Sequence, residues 1–259
     1  MNHLLKAENL SKSFGGLQAV RELDLHVDPA EIVSLIGPNG AGKTTVFNLL
    51  SGVLKPTTGH VHFDGRDMKG ERTDNYAKLG MARTFQNLAL FKHSTVVENL
   101  LVGMHTHIRT NPIQSILFAK KARTEEARAR ERVEDIIDFL EMAPIRNQIV
   151  GSLSYGQQKR VELGRALACQ PKLLLLDEIV AGMNQEETED IARFILDIRD
   201  ELGTTILMIE HDMQVVMDLS DRVYVLEFGG LIAEGRPSEI SSDPAVLRAY
   251  LGEEPAVHV

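Results

Sequence analysis

The sequence predicts an α/β fold with a mainly parallel central sheet, and three observations carry that prediction. Short apolar runs at 32–36, 173–176, 206–209 and 223–226 alternate with amphipathic stretches, the pattern of strands joined by helices. The first three runs lack polar alternation and read as strands buried on both faces. In 185–202, the apolar residues Ile191, Phe194, Ile195, Ile198 and Leu202 recur at spacings of three and four, which is one face of a helix.

The remaining elements follow in order. Residues 4–10 and 19–27 read as two strands around a Gly15-Gly16 turn, so an antiparallel piece flanks the main sheet. Residues 44–51 and 213–219 read as helices. Residues 95–142 are also helical, with a polar insert at 105–114. The run 119–135 carries mixed charge, including Lys120, Lys121, Arg123, Arg128, Arg130 and Arg132, and reads as a solvated helix face.

Composition narrows the function class. The 259 residues are 43% hydrophobic and 25% charged, ordinary for a globular chain. The net charge of −9 argues against a dedicated nucleic-acid binder. The single cysteine, Cys169, makes neither an internal disulfide nor a multi-cysteine zinc site. No secretory signal is visible in MNHLLKAENL, and no apolar run is long enough for a membrane span. Any membrane role is expected to be peripheral.

The strongest chemical signal lies at Gly37, Pro38, Asn39, Gly40, Ala41, Gly42, Lys43, Thr44 and Thr45. GPNGAGKT follows a strand-like run and precedes a helix-like one, the required context for a phosphate-binding loop. The glycines let successive N–H groups face one anion, and the following helix offers its positive end. Lys43 adds a positive charge for the β- and γ-phosphates of a nucleotide, and the Thr44 hydroxyl is a Mg²⁺ ligand candidate. In KLLLLDE, Asp177 and Glu178 emerge at the carboxyl end of a buried strand, where ligands bind in open α/β sheets. Asp177 suits the Mg²⁺ role and Glu178 the polarisation of an attacking water.

Weaker signals surround these. His211 follows the buried run in TTILMIEHD and can donate to a γ-phosphate; read alone it is a surface histidine in a turn. The Gln86 amide, ending ARTFQ, can reach Mg²⁺ or the water, and Phe14 can stack on an adenine face. In LSYGQ, Ser154 is a good N-cap and Gly156 permits close approach; simple capping explains it equally well in isolation.

The ordered set GPNGAGKT, Gln86, LSYGQ, LLLLDE, VAGMN and His211 resembles the ATP-binding subunit of ABC transporters over nearly the whole chain. LSYGQ stands where that family usually has LSGGQ. FGGLQAV, the long 104–135 segment, LSYGQQ, AGMN and EGRPSEI…DPAVLRAYLGEE resemble the longer ATPase subunit of branched-chain amino acid importers. The resemblance implies a P-loop NTPase (ABC ATPase) fold with an antiparallel β-subdomain and a helical subdomain. It implies a core at 1–86 and 160–240, a helical subdomain at 87–159 and a C-terminal helical tail at 241–259. Two subunits would close head-to-tail over two ATP molecules, each held between one cradle and Ser154, Gly156 and Gln157 of the opposite chain. Phe14 would stack on adenine, Gln86 would link the Mg²⁺ site to the helical subdomain that grips the membrane partner, and the loop 181–184 would sense the opposite site.

The implied partners are a second ABC ATPase subunit, membrane-spanning permease subunits and, indirectly, an extracytoplasmic solute-binding protein, with no nucleic acid. The second ATPase is expected to be a different chain, a homodimer being the alternative. The implied location is the cytoplasmic face of the inner membrane. The alternatives are an ABC ATPase for another cargo (urea or an amide, or an exported lipid) and a non-transport ABC ATPase. Three residues depart from the family pattern. Ile179 stands where Pro is usual, which frees φ and restores an N–H, so a looser loop and slower or less coupled hydrolysis are expected. Asn184 replaces an acidic residue common elsewhere in the family, and Tyr155 replaces a signature glycine.

Overall fold

The computed structural model describes residues 3–84, 88–104 and 119–251, and their side chains except at 119–123 and 251. The chain opens with a hairpin of β1 (Leu5–Phe14) and β2 (Leu17–Val27) around Gly15–Gly16. Both strands run closer to the turn than the sequence pattern predicts. β3 (Ile32–Ile36) leads through the 37–42 loop into α1 (Lys43–Leu50). β4 (Thr58–Phe63) pairs antiparallel with β1 and with the short β5 (Arg66–Asp67), completing a four-stranded sheet in the order β2-β1-β4-β5.

α2 (Thr73–Leu79) and β6 (Met81–Arg83) follow. A helical section contains α3 (Val96–Gly103), α4 (Ala119–Phe139) and α5 (Tyr155–Ala168). Then come β7 (Leu173–Asp177), α6 (Gln185–Asp200), β8 (Thr205–Ile209), α7 (Met213–Leu219), β9 (Arg222–Glu227) and β10 (Gly230–Gly235). α8 (Pro237–Ile240) and α9 (Pro244–Leu251) end the described chain. Among the described residues the second sheet has the order β10-β9-β3-β8-β7-β6, parallel except for β10.

The continuous apolar runs are explained by which face each residue meets. Successive strand residues point to opposite faces. Val33, Leu35, Leu173, Leu175, Leu207 and Ile209 enter a core shared with α1 and the antiparallel sheet. Ile32, Leu174, Leu176, Ile206 and Met208 enter a second core with α3 to α6. A sheet covered on both sides needs apolar residues at every position. The run 223–226 proves equally buried, at β9.

Two boundaries differ from the sequence reading. α6 ends at Asp200, so Leu202 is no part of its buried face and is 52% exposed. α5 is continuous across 159/160, so that division falls inside one helix. α4 is solvated as expected: Ala129, Val133, Ile136 and Ile137 face inward while Arg128, Arg130 and Arg132 are exposed. Among the described residues, no helix is long and apolar enough to cross a membrane.

Candidate nucleotide site

Strand order places the chemistry. β3, β8 and β7 are consecutive parallel neighbours, so the segments leaving their carboxyl ends lie side by side. Those segments are the 37–45 loop, Glu210–His211 and Asp177–Glu178. A cavity of about 460 Å³ opens there, lined by Asn39 to Thr45, Glu178 and His211, together with Leu17, Gln18, Ala19, Phe228 and Gly229.

The cradle is made by backbone. Gly37 has φ +147°, and a Cβ there would meet Leu226 O at 2.1 Å; at Gly42, φ +103°, it would meet Ala19 O at 2.6 Å. Neither position admits a side chain. α1 starts from Gly42 with no side-chain cap, so its first-turn N–H groups remain available to an anion. Lys43 is buried and curls back, its Nζ donating to Gly37 O at 2.6 Å and Pro38 O at 3.0 Å. Burial pushes its ammonium below the ordinary lysine value, and the Glu178 carboxylate opposes that push. Thr44 is exposed in the cavity.

The carboxylates are held separately. Asp177 is buried and accepts from Arg83 Nη2 at 2.8 Å. Arg83 also donates to Asn48 Oδ1 and Ser51 Oγ of α1 and the turn after it. One guanidinium thus ties the Asp177 carboxylate to the helix that follows the cradle. Glu178 sits at φ +51°, a region non-glycine residues rarely adopt. Its Oε1 lies 2.6 Å from Nε2 of His211. The β7 and β8 segments therefore meet through a carboxylate–imidazole pair beside the cradle. An imidazole carrying the Nε2 proton donates to the carboxylate.

Beneath that pair lies Glu210, 2% exposed. Its carboxyl accepts from the Val180 N–H at 3.3 Å with the Ile179 and His211 N–H groups nearby, and burial pushes it up to about 7. Ile179 is fully buried, and its N–H faces this carboxylate and lowers its pKa against the effect of burial. The buried side chain and the N–H facing Glu210 give the loop contacts that a proline there would not make.

The other candidates are placed as follows. Phe14 ends β1, 47% exposed, with Lys12 Nζ 5.1 Å from its ring centroid, and is absent from the residues that line the cavity. Gln86 lies outside the described residues. Ser154 caps α5: its Oγ accepts the Gln157 N–H at 3.2 Å, and Gln157 Oε1 accepts the Ser154 N–H at 3.1 Å. A Cβ on Gly156 would meet Glu187 Oε1 at 2.3 Å. Ser154, Gly156 and Gln157 do not line the cradle cavity. Asn184 caps α6 in the same manner, accepting the Glu187 N–H at 2.9 Å. Tyr155 is 43% exposed against the 181–184 loop, 3.6 Å from a Cβ built on Gly182.

Sequence reasoning missed Arg83, Glu210 and the cavity wall of Leu17 and Phe228. Arg83 and Glu210 each neighbour a motif residue, but only the fold shows what they bond.

Comparisons with known proteins agree with this geometry. A family model described as ABC transporter matches residues 20–181, and one described as branched-chain amino acid ATP-binding cassette transporter matches residues 231–256. The chain is 42% identical to the high-affinity branched-chain amino acid transport ATP-binding protein BraF of Pseudomonas aeruginosa, over 96% of this chain and 98% of that one. It is 43% identical to LivG of Escherichia coli, described in the same words, with the same coverage. Among solved structures, the ADP conformation of an ATP-binding cassette of an ABC transporter superposes with a TM-score of 0.85 at 36% identity, covering 98% of this chain and all of that one. A dimeric post-hydrolysis cassette bound to ADP and Pi superposes at 0.76 and 25% identity, covering 90% of this chain and 98% of that one. The chain belongs to the ABC transporter family, as one of its ATP-binding cassettes.

Proposed function

We propose that this chain binds and hydrolyses ATP to power an importer of branched-chain amino acids. The observation that carries the reading is the convergence of an uncapped helix start, a buried lysine, Glu178 and His211 on one cavity, with Asp177 ending the strand that leads into Glu178. The cargo is supported by the names of the relatives at 42–43% identity and by the C-terminal match at 231–256.

The Thr44 hydroxyl and the Asp177 carboxylate are the oxygen donors that would hold Mg²⁺, with Gln86, outside the described residues, as a third. Bound there, the ion would neutralise phosphate charge. The remaining work falls to the chain itself. The backbone amides of 37–45 hold the phosphates, and Lys43 supplies the positive charge for the β- and γ-groups. Glu178 orients and polarises the attacking water, held in place by His211. Arg83 fixes the Asp177 carboxylate. Most of the acceleration then comes from positioning and electrostatic stabilisation.

Turnover on this reading needs a second ATPase subunit, a different chain or a second copy, whose Ser154-Gly156-Gln157 turn covers the nucleotide while Phe14 stacks on adenine. The absence of that turn from the residues that line its own chain's cavity supports the arrangement. The pair sits on permease subunits at the cytoplasmic face of the inner membrane, fed by an extracytoplasmic solute-binding protein. The segment 87–159 is the part that grips the permease. A cleft of about 300 Å³ lined by Tyr76, Arg83, Val102, Glu162 and Arg165 supports that placement, since it joins this segment to the arginine that holds Asp177.

The test is reconstitution from native membranes. Everything that co-purifies with the chain is identified, and ATP-driven uptake is measured in vesicles. Leucine, isoleucine and valine are expected to stimulate hydrolysis and to accumulate. Uptake of urea, an amide or a lipid instead would overturn the cargo, and hydrolysis without any membrane partner bound would overturn the transport role.

A further inference from the structure

A second cavity, of about 550 Å³, shares no lining residue with the nucleotide site. It opens between the end of α1, the turn before β4, the 68–71 loop and α2. Leu49, Val61 and Met68 give it a buried apolar floor. Lys55, Lys69 and Glu71 are exposed at its rim. Among the described residues neither of these two ammonium groups has an ion pair or a hydrogen bond. One Glu71 oxygen accepts from Asn75 Nδ2, and the second can accept from a cation.

Tyr76 is the feature that points to a ligand. It lines this cavity and is only 6% exposed. Gly52, at φ +71°, makes room for its ring: a Cβ there would meet Tyr76 Cζ at 2.6 Å. The hydroxyl-bearing edge of the ring therefore lies at Gly52, which also lines the cavity. Among the described residues that hydroxyl has no hydrogen-bond partner. Burial pushes it above the ordinary tyrosine value, and the Glu71 and Asp67 carboxylates add to the push, so it keeps its proton and remains a donor. A buried donor without a partner carries a cost that a ligand oxygen would remove. Cavities of this size, apolar with a few convergent polar groups, are where small molecules bind.

We propose that this cavity is a binding site for a small α-amino acid with an apolar side chain. The carboxylate meets the Tyr76 hydroxyl and a lysine ammonium from Lys55 or Lys69. The ligand ammonium meets Glu71, and the side chain rests on Leu49, Val61 and Met68. The choice of an amino acid among amphiphilic carboxylates rests on the proposed cargo. Tyr76 also lines the cleft of about 300 Å³ that contains Arg83. The ligand is thus held by a residue that walls the proposed permease contact, which makes this a seat for the imported product on the ATPase itself.

The test titrates the full chain with L-leucine, leucinamide and isocaproate, with the methionine methyl groups isotope-labelled for NMR. Leucine is expected to shift the Met68 methyl signal, assigned with Met68→Leu. It should bind at least about tenfold tighter than leucinamide, which lacks the carboxylate, or isocaproate, which lacks the ammonium. Tyr76→Phe keeps the ring and should weaken leucine binding by about tenfold. The pair Lys55→Gln and Lys69→Gln should remove the preference for leucine over leucinamide. A Met68 signal that leucine does not move, equal affinity for all three probes, or unchanged affinity in Tyr76→Phe would each overturn the proposal. Displacement of leucine by ATP would also overturn it, placing the ligand in the nucleotide cavity. Leucine uptake by the assembled transporter, with no leucine bound to the chain, would overturn this inference alone. Leucine bound here by a chain whose transporter carries none would support the site and overturn the cargo.

Discussion

The cradle and the 154–157 turn are both helix starts, yet they are built in opposite ways. α1 begins on a glycine with no side-chain cap, beside a buried lysine and two carboxylates fixed by Arg83 and His211. α5 begins with a full capping box, Ser154 and Gln157 each satisfying the other's backbone N–H on an exposed surface. The first leaves its amides free for an anion that the same chain can hold. The second has two of its N–H groups satisfied by its own side chains and does not line the cradle cavity, so on the proposed reading it meets a nucleotide as a surface presented from outside. On the proposed reading, binding belongs to one chain and turnover to two.

The largest expected effect separates those two properties. Glu178→Gln removes the carboxylate proposed to polarise the water while leaving the cradle intact. Turnover should fall by about 10³-fold, with ATP affinity little changed, and the ATP-bound variant should accumulate as a closed pair on size-exclusion chromatography. Near-normal turnover would break the assignment. Next, Lys43→Ala should weaken ATP binding by about 10²-fold, because it removes a charged donor from a partly desolvated site. Titration calorimetry with magnesium present reads this directly, and unchanged affinity would place the phosphates elsewhere.

A third prediction concerns the buried floor of the cradle side. The Glu210 carboxyl is pushed up to about 7 from an ordinary value of 4.5. The folded state therefore binds a proton more tightly than the unfolded chain. The stability this contributes is complete below pH 4.5 and is lost as pH rises through 7. Denaturant unfolding at pH 5 and pH 7.5 should show the wild type losing about 2 kcal/mol more than Glu210→Gln over that interval. Parallel pH profiles would show that the carboxyl is not desolvated.

The same contrast explains what was legible in the sequence. The cradle was legible because backbone-made anion sites need glycines at fixed spacing, and the strands were legible because a doubly covered sheet leaves no polar positions. Arg83 was not, because its partners Asp177, Asn48 and Ser51 are brought to it by β6–β7 pairing and by α1. Glu210 looked like an acidic turn residue beside His211, and only the fold puts three N–H groups around it. Phe228 carried no periodic signal because it lies on a hairpin turn, whose neighbours are set by tertiary hydrogen bonds. Leu202 misled in the other direction: it kept the helical spacing after the helix had ended.

On the signature side, effects should be smaller within one chain and visible only in turnover. Ser154→Ala removes the cap of α5, at about 1 kcal/mol of stability. ATP affinity of the isolated chain should be unchanged, while turnover of the assembled transporter falls by about tenfold. A matching loss of affinity in the isolated chain would mean that Ser154 reaches its own nucleotide, and the contrast between the two helix starts would collapse.

The smallest expected effect tests the family departure at 179. Ile179→Pro restores the usual residue but deletes an N–H that faces the Glu210 carboxyl and replaces a fully buried isoleucine. One lost hydrogen bond at a buried acceptor costs about 1 kcal/mol. Glu178 keeps its own anchors, its N–H to Ile209 O at 2.9 Å and its Oε1 against His211 at 2.6 Å. The catalytic carboxylate therefore stays where it is, and steady-state turnover should change by less than about threefold, since the lost bond acts one residue away. A double-mutant cycle with Glu210→Gln should show coupling of about 1 kcal/mol in stability and almost none in turnover. A rise in turnover of tenfold or more in Ile179→Pro would show that the native isoleucine loosens the loop after all, and that the bonds around Glu210 do not hold it.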